Sequence, residues 1–108
     1  MIHSQAVAQT PLMYEQEWAG LLARIAAGDQ PALAEFYDAS SAKVFGLVMK
    51  ILADRTVAEE VTMDVYTQVW RRASTYDTES GTPGSWLMML AKTSAIDRFR
   101  SSYLERGR

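Results

Sequence analysis

Glu59 and Glu60 are adjacent carboxylates, and His3 is the single imidazole among 108 residues. They are the groups that could do acid–base chemistry, and their placement argues against it. Neighbours on a helix point in different directions, so Glu59 and Glu60 cannot flank one reacting atom. His3 sits in the polar opening stretch MIHSQAVAQT, away from any partner in sequence. The chain has no cysteine, no metal-ligand spacing and no Gly-rich phosphate loop. An enzymatic reading therefore has no constellation to stand on, and neither metal nor cofactor is expected.

Binding chemistry is better supported, in three patterns. Glu60, Asp64, Thr67 and Arg71 recur at i, i+4, i+7 and i+11, one helical face, flanked by Met63 and Gln68. Such a face can be plain solvated surface; Met63 among the charges also fits a protein contact, because thioethers adapt to irregular partners. Lys92, Thr93, Ile96 and Arg100 make a second stripe, with Phe99 and Tyr103 beside it. Basic groups neutralise phosphates and rings stack on unpaired bases, though a helix ending in arginines also suits its own dipole. Trp86 and Phe99 are expected in the core, where large rings are most valuable. Between these faces lies TYDTESGTPGSW, residues 75–86, a loop rich in glycine, hydroxyls and acids.

The elements that must hold these patterns are helical. Thr10-Pro11 reads as a cap and first-turn proline, Gly28 as a stop, and Asp29 with Pro31 as the next start. Leu33 to Leu52 carries a long apolar stripe, with Gly46 expected at a close helix approach and some irregularity near Ser40-Ser41. Thr56 to Glu59 fits a capping box. Val57, Val61, Val65 and Val69 recur every four residues, a helical period despite their strand propensity. Thr82-Pro83 opens a fourth helix reaching at least Tyr103, whose Leu87, Leu90, Ala91 and Ala95 can face inward. With 48% apolar residues and no strand pattern, the expectation is one all-α domain, a compact bundle of about four helices. Residues 1–10 are expected to be a flexible N-terminus, 11–104 the helical domain and 105–108 the start of a linker.

Net charge is −2, too low for a basic coat over the whole surface. Its distribution is uneven: Lys92 to Arg108 carries +3 and residues 1–91 carry −5, which points to two surfaces with different partners. The opening residues do not read as a signal peptide and no apolar run is long enough to span a membrane, so a cytoplasmic protein with no membrane partner is expected.

Three segments, ALAEFYDASSAKVFGLVMKIL, AEEVTMDVYTQVWRRA and YDTESGTPGSWLMMLAKTSAIDRFR, together resemble region 2 of a bacterial sigma factor of the extracytoplasmic-function class, from about Leu21 to Ser101. The resemblance implies a non-enzymatic role: binding core RNA polymerase and recognising and melting the −10 promoter element at transcription initiation. It implies that Glu60, Met63, Asp64, Thr67, Gln68 and Arg71 dock on the clamp helices of the largest catalytic subunit. It implies that Tyr76, Asp77, Ser80, Gly81, Thr82 and Ser85, with Lys92, Thr93, Ile96, Arg98 and Arg100, meet the non-template strand. An anti-sigma factor is a further implied partner, and a regulatory interaction module without DNA recognition is the alternative. Lys92-Thr93 stands where the family often has Arg-Asn, Thr62-Met63 where Val-Gln is commoner, and Pro83-Gly84 where residues are larger. These departures bear on base choice, polymerase affinity and pocket shape. A second, −35-reading domain is expected beyond the linker, so the chain reads as a fragment of a longer protein.

Overall fold

A computed structural model of the protein describes residues 11–106 as four α-helices joined by short connections. They are α1 (Pro11–Ala26), α2 (Gln30–Leu52), α3 (Arg55–Arg72) and α4 (Pro83–Arg106), with single 3₁₀ turns at Ala73–Thr75 and Thr78–Ser80. The all-α bundle expected from the periodicity is what forms. α4 continues through Glu105 to Arg106. The expected N-terminal flexibility, the Thr10 cap and His3 lie outside the described residues.

The helix ends follow local chemistry. Gly28 adopts φ 91°, and its N–H donates to the Ile25 carbonyl at 2.9 Å, closing α1. Asp29 then caps α2 by accepting from the Ala32 amide at 3.2 Å. The Arg24 guanidinium, 2.9 Å from its other oxygen, and the Ala32 amide hold the Asp29 carboxyl below its ordinary pKa. The start of α3 differs from the sequence expectation. Ala53 turns left-handed at φ 54°, and Asp54 caps α3 by accepting from the Val57 amide at 3.1 Å. The turn-around takes only these two residues, so Thr56 already lies inside the first turn and the Thr56–Glu59 box is not the cap.

The core is built from one row per helix. α2 buries Ala32, Phe36, Ser40, Val44 and Val48, every fourth residue. α3 buries Ala58, Val61, Val65 and Val69 with Thr62 and Tyr66. β-branched residues cost a helix a few tenths of a kcal/mol each, and burial of this row between α2 and α4 outweighs that. α1 contributes Trp18, Leu21, Leu22 and Ile25; α4 contributes Trp86, Leu87, Leu90, Ala91 and Ala95. Trp18 meets Phe36 edge-on at 5.4 Å, and Phe36 meets Tyr66 at 6.3 Å.

Two expectations for α2 are corrected. The helix is regular through Ser40-Ser41: Ser40 is fully buried and donates to the Phe36 carbonyl at 2.6 Å. Gly46 is exposed with open space where a Cβ would stand, so it marks no close approach. It costs the helix about 0.5–1 kcal/mol relative to alanine.

Ser40 has one hydroxyl proton and gives it to Phe36, so the 2.6 Å contact with Tyr66 is Tyr66 donating to Ser40. Burial pushes the Tyr66 phenol up from 10.0 to about 12. Between those values the unfolded chain ionises Tyr66 while the folded chain keeps its proton, so stability falls as pH rises through this window. Urea titrations from pH 9 to pH 12 should show this fall, and Tyr66→Phe should flatten it.

Candidate binding surfaces

Burial of the valine row fixes what α3 shows outward. Glu60, Asp64, Thr67 and Arg71 are all exposed, and Met63 is 59% exposed, a large apolar side chain in water. Three of the six residues of this face are engaged within the chain. The Glu60 carboxylate accepts from the Arg98 guanidinium of α4. Gln68 Nε2 lies 2.6 Å from Ser94 Oγ and donates to it. Thr67 Oγ donates to the Met63 carbonyl at 3.3 Å, an ordinary back-bond within the helix. Asp64 and Arg71 make neither ion pair nor side-chain hydrogen bond with another described residue, so both are free to meet a partner. Beside Met63 the surface dips into an open, mainly apolar groove of about 690 Å³ between α2 and α3, walled by Leu33, Tyr37, Tyr66 and Trp70.

The connector from α3 to α4 is folded on itself. The Tyr76 ring leans on Trp86 at 5.7 Å, and its hydroxyl donates to the Gly81 carbonyl at 2.8 Å. Partial burial, with the Glu15 and Asp77 carboxylates nearby, holds the Tyr76 phenol above its ordinary pKa. Asp77 accepts from the Glu79 amide at 2.8 Å. Thr82 caps α4, its Oγ accepting from the Ser85 amide at 3.1 Å, and the Ser85 hydroxyl donates to the Thr82 carbonyl at 2.9 Å. The Thr82 and Ser85 hydroxyls thus hold the helix start. Ser80 is exposed, and its hydroxyl has no hydrogen bond to another described residue.

α4 sorts its candidate residues by face. Lys92, Thr93 and Arg100 are exposed and Ile96 is half-buried, four residues within about 100° of the helix circumference. Arg98 does not join them. It turns the other way, to Glu60 on α3, so this ion pair bridges a residue expected on one surface and a residue expected on the other. Phe99 is 51% exposed, not in the core, and lies at the surface beside Leu52, Asp54 and Val57; Tyr103 and Leu104 are more exposed still. Trp86 is buried as expected.

One contact had no signal in the sequence pattern. The Glu15 carboxylate on α1 accepts from the Gly84 amide at 2.9 Å, across 69 residues of chain. The glycine following a proline at the start of α4 was the available clue, and it names no partner. No group of three or more His, Cys, Asp or Glu that could hold a metal occurs among the described residues.

A family model for sigma-70 region 2 matches residues 36–103. The chain is 46% identical over 80 residues to the ECF RNA polymerase sigma factor SigK of Mycobacterium tuberculosis, covering 74% of this chain and 43% of that protein. It is 46% identical over 96 residues to SigK of Mycolicibacterium vanbaalenii, covering 89% of this chain and 48% of the relative. SigK of Mycobacterium ulcerans is 44% identical over 81 residues, 75% of this chain and 43% of the relative. The chain therefore spans less than half the length of the curated relatives it matches.

Gly81 stands at φ 114°, ψ −170°, a region open to glycine, and a Cβ there would lie 2.9 Å from Ser85 Oγ. Gly81→Ala should lower stability by about 1–3 kcal/mol in chemical denaturation, with loss of the Tyr76–Gly81 hydrogen bond visible as a lowered Tyr76 phenol pKa.

Proposed function

The chain belongs to the sigma-70 region 2 family, in its extracytoplasmic-function class, and from that premise we propose that it binds core RNA polymerase with α3 and the −10 promoter element with the connector and α4. The observation that carries this reading is the span of the family match. Residues 36–103 take in α3, the connector and α4 as far as Tyr103, and so include both exposed faces. The proposed polymerase contact centres on Met63, Asp64 and Arg71, three outward groups of α3 whose side chains make no hydrogen bond or ion pair with another described residue. The largest subunit's clamp helices are the proposed partner. No catalytic step belongs to this role.

The proposed strand site works mainly by hydrogen bonding. Opening a duplex costs about 1.4 kcal/mol per base step. Tyr76 and Trp86 already lean on each other and offer no free ring face between them for a base. Capture at the connector then rests on the Ser80 hydroxyl, the Asp77 carboxylate and backbone groups around Gly81 reaching base edges. Lys92 and Arg100 meet phosphates, with Thr93 and Ile96 between them. Hydrogen bonds involving a charged group contribute about 1.5–3 kcal/mol each, enough for a few contacts to offset the opening of several steps.

A second reading is a regulatory interaction module, with a partner such as an anti-sigma factor covering the same faces. The groove beside Met63 favours it, because an apolar trough between two helices suits an added amphipathic helix. Among the described residues no helix is long and apolar enough to cross a membrane, and the proposed site of action is the cytoplasm.

Two measurements test the proposal. Binding of short single-stranded oligonucleotides should depend on sequence and on salt. Lys92→Ala with Arg100→Ala should flatten the log K against log[salt] slope by about 1.4, near 0.7 for each lost phosphate contact. Binding indifferent to sequence and to both changes would favour the second reading. Asp64→Ala with Arg71→Ala should reduce capture by core polymerase while leaving thermal melting unchanged. Undiminished capture would remove this face from the interface.

A further inference from the structure

The connector is bracketed by α1. At one end α1 packs on the Ala73–Thr75 turn. At the other, the Glu15 carboxylate lies on the first turn of α4, with Oε1 2.9 Å from the Gly84 amide. A Cβ on Gly84 would stand 2.8 Å from Glu15 Oε2, so the carboxylate occupies the space a side chain would take. Glu15 is not held there by chance of rotamer alone. One turn further along α1, Trp18 is buried against Phe36, which fixes the helix that carries Glu15.

We propose that Glu15 is the positioning residue of the strand site: it fastens the exit of the connector to α1 and fills the amide end of α4. The first effect sets where Gly81, Thr82 and Ser85 present their backbone. The second concerns charge. An uncovered helix N-terminus attracts phosphate through its free amides and dipole. With a carboxylate already seated there, a bound strand is turned away from that end and its phosphates go to Lys92 and Arg100. Glu15 thereby sets the register of the strand without touching a base. This inference rests on the strand-binding reading above.

The test compares wild type, Glu15→Gln, Glu15→Ala, Gly84→Ala and the Glu15→Ala/Gly84→Ala double variant, each in the full chain. Hydrogen exchange of the Gly84 and Ser85 region is read on the free protein. Affinity for a −10-like single-stranded oligonucleotide and capture by core polymerase are read separately. Glu15→Ala should speed exchange at this site at least tenfold and change strand affinity at least threefold, with polymerase capture unchanged. Glu15→Gln keeps an acceptor oxygen and should restore the protection. The double variant should be no worse than either single one, since both remove one contact.

Exchange unaltered by Glu15→Ala would overturn the fastening role. Faster exchange with unchanged strand affinity would overturn the positioning role, as would an equal loss of polymerase capture. If wild type binds no strand, the strand reading fails and the register role falls with it. The exchange data would still decide whether Glu15 fastens the connector.

Discussion

The buried contact between Tyr66 and Ser40 is the constraint on which the rest of the bundle depends. Each hydroxyl would be costly to bury unpaired. Ser40 satisfies the phenol while giving its own proton to Phe36, and no buried side-chain polar atom among the described residues lacks a partner. A slide of α3 along α2 by one turn would part the two groups while leaving valine against valine. Apolar rows alone tolerate such slides; a hydrogen bond between two particular atoms does not. The buried valine row turns Glu60, Asp64 and Arg71 outward, and the Tyr66–Ser40 bond sets the level along α2 at which α3 presents them.

Much of this was legible because it is local. The helices follow from four-residue spacing, and Gly28, Asp29 and Thr82 terminate or start them through contacts three or four residues away. Asp54 was missed as a cap because Thr56 to Glu59 also satisfies the local rule, and only the tight left-handed turn at Ala53 decides between them. Gly46 and Phe99 depend on which face of a long helix is covered: Gly46 lies about 200° round from Val44, away from the buried row, and Phe99 lies at the surface beside Leu52, Asp54 and Val57. Ser40 reads as a flaw in an apolar row until Tyr66, 26 residues away, is brought against it. Glu15 was invisible for the same reason at greater range. The candidate surfaces were legible as faces, whereas the Arg98–Glu60 pair that crosses between them was not.

That cross-link, with the bond from Gln68 to Ser94, makes α3 and α4 neighbours with little freedom to shift independently. An exposed ion pair of this kind contributes about 0–1 kcal/mol, so its effect lies more in orientation than in stability. Arg98 and Glu60 each use charge on the other that would otherwise be offered to solvent or a partner. Asp64 and Arg71 on one helix, and Lys92 and Arg100 on the other, keep theirs.

α4 is unbroken from Pro83 to Arg106, and its far end projects past the core with Phe99, Tyr103 and Leu104 uncovered. At 1.5 Å per residue, 24 residues make a rod of about 36 Å. The helix is therefore a ruler as well as a surface. Adding a single residue near its middle would swing everything downstream by about 100° while lengthening it by only 1.5 Å. Bearing, far more than reach, is what its uninterrupted pitch preserves.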